Sequence, residues 1–267
     1  MDLQFWDHIE SVITQKLEPL VSSGKFTIDL DGKIRLHRKL VIDIPWVFVR
    51  GREFGDCYMF KDIWFEHFKI IPSFCQAYCY KVVIKPRTVK ELFETYETLR
   101  AMNVPSKAGL ETRAYQQGHY RAFIYCNGLQ DGERRFKEAR AAIPADIPVV
   151  LKRGCTEFEY LMPSDKWHVP PEQSAFEQKL MAIFQTEPIA PFQPQWIINA
   201  IKRRWIAHAY KIGDETYKEV IGDPTWTMAP PTVLYQPQNE PVVPQEPEKK
   251  EEPDSGVKVR PIRKQKR

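Results

Sequence analysis

Four of the five cysteines of this chain lie between residues 75 and 155, and they are the residues best suited to do chemistry. They are Cys75, Cys79, Cys126 and Cys155. Thiolate sulfur binds Zn²⁺ and iron well, and four such ligands make a closed tetrahedral zinc site or a Cys₄ iron–sulfur cluster. The Cys75-x₃-Cys79 spacing lacks the tighter C-x₂-C pair of common zinc ribbons, so the spacing by itself does not indicate a metal site. The prediction therefore depends on whether the fold brings the four sulfurs together.

The residues between these cysteines predict alternating strands and helices. Apolar β-branched residues before Pro86 predict a first strand, because proline cannot continue a strand ladder. Thr88-Val89-Lys90-Glu91 matches a capping box, and apolar residues follow it at steps of three and four, which predicts an amphipathic helix. The predicted elements are a strand over 80–85, a helix from Thr88 to Pro105, strands over 109–113 and 120–125, a helix over about 129–143 and a strand over 147–152.

The order strand, helix, strand, strand, helix, strand resembles the ferredoxin-like, or split βαβ, architecture. The resemblance implies the spatial strand order 4-1-3-2 with right-handed crossovers. In that order the start of the first strand lies beside the ends of the third and fourth strands. Since Cys79 precedes the first strand, Cys126 ends the third and Cys155 follows the fourth, we expect the four cysteines at one edge of the sheet.

This convergence predicts a zinc ion or an iron–sulfur cluster bound by Cys75, Cys79, Cys126 and Cys155. Cys57 is a candidate fifth participant, and His67 could replace one cysteine. A second interpretation is that all four are ordinary buried thiols, because cysteine is among the residue types most often buried.

The flanking segments predict an α+β protein in four parts. Apolar spacing predicts a helix over 3–20, the Asp31-Gly32 turn predicts a β-hairpin, and strands over 39–44 and 46–49 extend that small sheet. Helical spacing recurs over 172–185 and 195–212. The parts are 1–73 (N-terminal helix, hairpin and aromatic cover), 74–160 (ferredoxin-like core with the cysteine cluster), 161–222 (C-terminal helices) and 223–267 (disordered proline-rich and basic tail).

Composition and the two ends of the chain narrow the class of protein. The hydrophobic fraction of 43% is typical of a globular protein, while the late prolines favour an extended tail. No run of about 18 apolar residues exists, and the first residues lack a basic segment followed by an apolar one, so we expect a cytoplasmic protein without a membrane span. Five cysteines, an odd number, argue against a disulfide framework.

Basic side chains predict contacts with nucleic-acid phosphates. A strip near the strand ends, a cluster in the helix over 195–212 and the basic end of the chain can each neutralise phosphates. The residues are Lys85, Arg87, Arg121, Lys152, Arg153, Lys202, Arg203, Arg204, Arg260, Arg263 and Lys264. The alternative interpretation of the strip is a set of solvated ion pairs with Glu111, Glu157 and Glu159.

The predicted third strand also bears on RNA binding. Its segment Arg121-Ala122-Phe123-Ile124-Tyr125-Cys126 is partly similar to the octamer of RNA-recognition domains, which carries base-stacking aromatic residues. Cys126 stands where that octamer has an aromatic residue, and Val82-Val83-Ile84 in the first strand lacks the partner aromatic. The resemblance therefore covers the topology and not the RNA-reading site.

The sequence contains none of the common catalytic motifs, so whether the protein is an enzyme stays open. We expect a nucleic-acid-associated protein with a structural zinc or iron–sulfur site at one edge of a ferredoxin-like sheet. One alternative is an iron–sulfur or zinc metalloenzyme or redox protein that uses the same cysteines. Another is an assembly protein whose thiols are only buried and whose proline-rich tail recruits a partner protein.

Overall fold

The computed structural model describes residues 15, 19, 22–24, 26–28, 30–36, 44–51, 53, 57–187 and 192–222. Almost all of the predicted helix over 3–20, most of the predicted strand over 39–44 and the predicted tail over 223–267 lie outside the described residues. The described residues form a mixed α+β fold with a five-stranded antiparallel sheet, a two-stranded hairpin and several helices. The expected α+β class is therefore confirmed.

The strands are β1 (Phe26–Ile28), β2 (Ile34–Leu36), β3 (Trp46–Arg50), β4 (Cys79–Ile84), β5 (Ser106–Leu110), β6 (Tyr120–Asn127) and β7 (Val149–Arg153). The helices are α1 (Cys57–Met59), which continues into a π-helical turn (Phe60–Phe65), α2 (Ser73–Ala77), α3 (Val89–Met102), α4 (Leu129–Ala142), α5 (Thr156–Leu161), α6 (Pro171–Ile183), α7 (Gln195–Ile212) and α8 (Tyr217–Val220). A 3₁₀ turn (Ser164–Lys166) separates α5 from α6. Among the described residues, no helix is long and apolar enough to cross a membrane.

The large sheet has the strand order β3-β5-β6-β4-β7, and each neighbouring pair is antiparallel. The predicted hairpin is confirmed, because β1 pairs with β2 and Thr27 lies opposite Arg35. Gly32 adopts a φ of +75° in the turn between them, a conformation that favours glycine.

The sequence placed β3 wrongly, because Trp46–Arg50 pairs with β5 at the edge of the large sheet and does not extend the small one. Val47 lies opposite Ala108, and both side chains are fully buried in the core beneath the helices. Gly109 permits the close approach of β3, since a Cβ there would lie 2.1 Å from the Pro45 carbonyl oxygen. β3 is close to the hairpin in sequence, but it pairs with β5 because this position buries its apolar residues.

β5 also begins three residues before its predicted start at Gly109. Ser106 and Lys107 resemble loop residues in sequence, yet both belong to the strand. The Ser106 hydroxyl donates a hydrogen bond to the Val104 carbonyl oxygen at 2.9 Å. Lys107 lies between aromatic rings on the two neighbouring strands. Local partners thus let polar side chains occupy a central strand.

The capping box of α3 is confirmed in part. The Thr88 hydroxyl accepts a hydrogen bond from the Glu91 backbone N–H at 3.2 Å, as a helix cap requires. The Glu91 carboxylate accepts from the Arg87 backbone N–H at 2.7 Å. The helix ends at Asn103, whose φ of 50° is left-handed.

Two hydrophobic cores lie in the described part of the chain. The first core fills the space between the large sheet and α3, α4 and α7, where Leu92, Ile124 and Trp205 are completely buried. The second core joins the hairpin, the π-helical turn, α5 and α6, with Trp64, Phe158 and Phe176 at its centre. Cys79 at the start of β4 belongs to the second core, so this core meets the sheet at that strand end.

Candidate functional site

Strand alternation gives the large sheet two faces of different chemistry. Val82 and Ile84 of β4, like Ala122 and Ile124 of β6, pack beneath the helices in the first core. The residues between them point to the opposite face and are mostly charged or aromatic. We call this opposite face the basic-aromatic face; it carries Trp46, Phe48, Lys81, Lys107, Arg121, Phe123, Tyr125 and Lys152.

Lys107 is at the centre of three aromatic rings. Its Nζ lies 4.3 Å from the ring centroid of Trp46, 5.5 Å from that of Phe123 and 5.8 Å from that of Phe48. The strand register produces this arrangement, since Lys107 pairs with Phe48 on β3 and with Phe123 on β6. The negative faces of aromatic rings attract an ammonium group. We call these three rings the Lys107 cage.

Lys81 lies one strand away on the same face. Its register partners are Tyr125 on β6 and Lys152 on β7. The Lys81 Nζ is 3.0 Å from the Cys155 Sγ and 5.9 Å from the ring centroids of both Phe123 and Tyr125. Phe123 therefore contacts two ammonium groups, those of Lys81 and Lys107.

Helix α5, which the sequence did not predict, crosses the basic-aromatic face. It follows the end of β7, whereas Arg113 follows the end of β5 at the opposite end of the sheet. Glu157 of α5 nevertheless reaches Arg113, with 3.0 Å between Oε1 and Nη1. Tyr160 stacks on Tyr115 with 4.8 Å between the ring centroids. We call α5, with its carboxylates Glu157 and Glu159, the acidic strap.

Gly154 makes the turn that directs the acidic strap across the sheet. Its φ is +65°, and a Cβ at this position would lie 2.3 Å from the Trp167 ring. Arg153 fixes the same corner, because its guanidinium donates to the Gln76 carbonyl oxygen at 2.6 Å and lies 5.5 Å from the Trp167 ring centroid. Only glycine fits this conformation beneath an aromatic ring.

Cations outnumber carboxylates on this face within the described residues. The acidic groups are paired: Glu157 and Glu111 bind Arg113, and Glu159 forms an ion pair with Lys152. The cations are Lys81, Lys107, Lys152, Arg113 and Arg121, against the carboxylates Glu111, Glu157 and Glu159. The remaining positive charge makes the face suitable for an anion.

Two of these lysines have lowered pKa values. Burial lowers the pKa of Lys107 to about 7, and the positive charge of Lys81 acts in the same direction. Burial and Lys81 also lower the pKa of Lys152, to about 8. Because a protein places ammonium groups in such surroundings at a cost, lowered lysine pKa values often mark binding or catalytic sites.

The four cysteines predicted to bind a metal lie on two different sides of the sheet. Cys75, Cys79 and Cys155 lie in or against the second core. Cys126 lies in the first core on the helix side, where burial raises the pKa of its thiol to about 12. Strand parity explains the separation, since Cys79 pairs with Asn127 and thus points away from Cys126.

The structure also places the other predicted metal ligands. Cys57 begins α1 and is half-buried, and His67 is half-buried just after the π-helical turn. Within the described ranges, no group of three or more His, Cys, Asp or Glu side chains is arranged to hold a metal ion.

The predicted phosphate-binding residues divide into several environments. Lys152 belongs to the basic-aromatic face, as does Arg121, whose guanidinium donates to the Tyr120 carbonyl oxygen at 2.7 Å. Arg87 forms ion pairs with Glu91 and Asp146. Lys85 is half-buried after β4, and Arg153 holds the corner described above. On α7, the Lys202 Nζ donates a hydrogen bond to the Glu97 Oε1 at 3.2 Å, Arg203 is exposed and Arg204 is half-buried. The last three predicted residues, Arg260, Arg263 and Lys264, lie outside the described residues.

Of the aromatic residues on this face, the sequence singled out Phe123 and Tyr125 but not Trp46 and Phe48, and it did not predict the strap above them. Trp46 and Phe48 were assigned to the small sheet, and the late start predicted for β5 left Lys107 in a loop. The available signal was the period of two, since Trp46 and Phe48, like Phe123 and Tyr125, occur at alternate positions. Register between strands distant in sequence then brings them together.

Comparisons with protein-family models, with curated proteins and with solved structures found no match for this chain.

Proposed function

We propose that this protein binds a single-stranded nucleic acid on its basic-aromatic face. The observation that carries the proposal is Lys107, an ammonium group held among three aromatic rings in the middle of an antiparallel sheet. Proteins that bind single strands combine cations for the phosphates with rings on which bases stack. The register of this sheet supplies both kinds of side chain in adjacent positions.

The strand order supports a finer assignment of the fold. Without β3, the sheet reads β7-β4-β6-β5, which is the order 4-1-3-2 expected of a ferredoxin-like domain. The fold proposed is therefore ferredoxin-like with one added strand, β3, at the β5 edge. RNA-recognition domains use the sheet face of this topology, and here the face opposite the helices carries the rings.

The added strand, β3, supplies the aromatic residues that the first strand of the predicted core, β4, lacks. In β4 the basic-aromatic face receives Lys81 and Val83, neither of which can stack a base. β3 contributes Trp46 and Phe48 to the same face, two strands away from Phe123 on β6. Trp46 and Phe123 are in contact, with 5.5 Å between ring centroids. The proposed stacking surface is thus displaced toward the β3 edge.

Fluorescence anisotropy with labelled single-stranded RNA, single-stranded DNA and a duplex at low salt tests the proposal. Phe48→Ala should weaken single-strand binding by about tenfold, because stacking contributes ~1–3 kcal/mol per base. At about pH 6, where an amine with a pKa of about 7 is mostly protonated, Lys107→Gln should weaken binding and reduce the salt slope by about one. Tyr210→Ala is the matched control for the first change, since Tyr210 is an exposed ring on α7, which packs on the helix side of the sheet. Lys90→Gln, on exposed α3 surface, is the control for the second.

Two results would overturn the proposal. One is the absence of measurable binding to all three probes at low salt. The other is equal weakening by Phe48→Ala and Tyr210→Ala, which would show that the cage rings have no special role. The same titration with a chain lacking residues 257–267 measures the separate contribution of the basic end. We expect the affinity of the full chain to fall more steeply with salt than that of the shortened chain.

A structural metal at the cysteines is retained as a second proposal in a reduced form. Its support is that Cys75, Cys79 and Cys155 lie in or against one core. Because the described side chains form no metal-binding group of three or more, metal binding would require these thiols to move together and a fourth ligand to join them. Elemental analysis and a visible spectrum of anaerobically purified protein should then show stoichiometric zinc, or iron with visible absorbance. Absence of both metals would leave the thiols as packing residues, as the assembly-protein alternative requires.

A further inference from the structure

Two histidines from distant parts of the chain face each other beside the loop that joins β5 to β6. His119 directly precedes β6, and His208 lies on α7. The His119 Nδ1 and the His208 Nε2 are 3.3 Å apart, and the two ring planes are inclined by 55°. His119 is exposed and His208 is half-buried, so the two nitrogens are within reach of solvent. The function proposed above uses neither residue.

Buried neighbours and backbone pairing hold both histidines in place. The His119 carbonyl oxygen accepts from the Glu111 backbone N–H at 2.8 Å, which continues the pairing of β5 with β6. Tyr120, the next residue, is fully buried, and its hydroxyl donates a hydrogen bond at 2.7 Å to Asp214, which follows α7. His208 lies on the same helix, which packs in the first core. The fold therefore sets the separation of the two rings.

The separation of 3.3 Å matches that of two nitrogen ligands on one tetrahedral zinc ion. Zn–N bonds of about 2.0–2.1 Å at a tetrahedral angle place the two nitrogens about 3.3–3.4 Å apart. Bonds of the same length at a right angle, as in square-planar copper or nickel sites, would place them about 2.8–3.0 Å apart. The observed distance is long for a direct hydrogen bond between the rings, since nitrogen donors in proteins lie about 2.7–3.2 Å from their acceptors.

The surroundings of His208 favour the neutral ring, which is the form that binds a metal. Burial is the largest of the influences that lower the pKa of His208, and His119 and Lys211 act in the same direction. At neutral pH the His208 ring is therefore mostly neutral and keeps a lone pair for a metal ion.

We propose that His119 and His208 bind a zinc ion through the His119 Nδ1 and the His208 Nε2. Imidazole nitrogen is one of the common zinc ligands. Among the described residues, no third His, Cys, Asp or Glu side chain joins the two histidines. Water completes the tetrahedron, so the site is open to a further ligand. The bound ion also joins α7 to the start of β6 and stabilises the folded chain.

Isothermal titration of Zn²⁺ into the full-length, tag-free protein tests the proposal, after a chelator has removed metals and a phosphine has reduced the thiols. Wild type should bind zinc at these histidines. His119→Gln and His208→Gln should each weaken that binding by about a hundredfold or more, because two ligands held on one frame act as a chelate. His168→Gln is the matched control for His119→Gln, since His168 is also exposed but follows the 3₁₀ turn, and it should leave zinc binding unchanged.

Cobalt(II) as a second probe distinguishes this site from a metal held by cysteines. Co²⁺ bound through nitrogen and water lacks the near-ultraviolet thiolate-to-cobalt absorption that cysteine ligands produce. Thermal unfolding of each metal-free variant shows whether it is folded. Because His119 is exposed, His119→Gln should unfold at the wild-type temperature and give a valid titration even if His208→Gln is destabilised.

Three results would overturn the proposal. The first is the absence of zinc binding by wild type. The second is zinc binding that both histidine variants leave unchanged, or that His168→Gln weakens equally. The third is a cobalt spectrum with thiolate absorption that persists in both variants, which would assign the metal to the cysteines. Neither His119 nor His208 is among the residues of the basic-aromatic face, so failure of zinc binding and failure of nucleic-acid binding are distinguishable.

Discussion

Lys107 and Asp214 are two half-buried ionisable residues. The surroundings of Lys107 disfavour its charged form, whereas those of Asp214 favour its charged form. Around Lys107 the protein excludes water and supplies the positive charge of Lys81, and both lower the pKa of the lysine, to about 7. Around Asp214 it supplies donors: Oδ2 accepts from the Val89 backbone N–H at 2.6 Å and from the Tyr120 hydroxyl at 2.7 Å. These bonds favour the carboxylate. Asp214 therefore has the properties of a structural residue.

Replacement of Asp214 by Asn should destabilise the fold by about 1.5–3 kcal/mol at neutral pH, because hydrogen bonds to a charged group are lost. Burial raises the pKa of Asp214, but bonds from Thr216, Tyr120 and Val89 outweigh it, so the pKa lies below its ordinary value. The carboxylate thus stabilises the fold above the unfolded-state pKa, and this contribution is lost as pH falls through the folded-state value. Urea unfolding between about pH 7 and pH 3 should show the gap to wild type narrowing with acid.

Asp146→Asn is the matched control for this measurement. Asp146 is exposed and paired with Arg87 on the surface, where such a pair contributes about 0–1 kcal/mol. A pH-independent difference between wild type and Asp214→Asn, or an equal cost for Asp146→Asn, would contradict the structural role assigned to Asp214.

The acidic strap is the element that decides how much of the basic-aromatic face a ligand can reach. Glu157 and Glu159 occupy Arg113 and Lys152 in the way that phosphates of a nucleic acid would. The strap has only six residues and is half-buried along most of its length. An anionic ligand must compete with these carboxylates, so the strap lowers the affinity of the proposed site.

If nucleic acid binds this face, the change of Glu157 and Glu159 together to Gln should raise the affinity for a single strand by about threefold to tenfold. The reason is that two carboxylates no longer occupy the cations. Glu97→Gln with Glu94→Gln removes the same charge from α3, away from the face. Anisotropy titrations of the two double variants decide the matter. Equal gains would indicate a general effect of net charge, and no gain for the strap variant would show that the strap does not compete.

At the scale of the whole molecule, the large sheet separates two cores of different composition. The first core is aliphatic in the sheet and gains Trp205 from α7, whose indole donates to the Pro45 carbonyl oxygen at 2.9 Å. The second core is rich in aromatic residues from the segment that the sequence assigned to a cover. The helix-side face of the sheet is buried in the first core, and the start of β4 is buried in the second. The charged residues of the other face therefore lie between the sheet and α5.

Local sequence determined most of the secondary structure. The helix over 195–212 matches α7, and the predicted first strand and the second helix lie within a residue of β4 and α4. These segments were predictable because their apolar periodicity and end signals are local properties. The same reasoning missed α5, started β5 three residues too late and gave β3, a correctly predicted strand, the wrong sheet, because the partners that stabilise these elements are distant in sequence.

The composition of the candidate site was decided only by the tertiary structure. Sequence alone identified Lys152, Phe123 and Tyr125 as residues of interest, and it grouped Cys126 with the other cysteines. Register then brought Lys107 between rings from β3 and β6, while strand parity sent Cys126 to the opposite face. Pairing between strands far apart in the chain sets which side chains meet, and a shift of one residue reverses every face. That information resides in the packing of the sheet and not in any one segment.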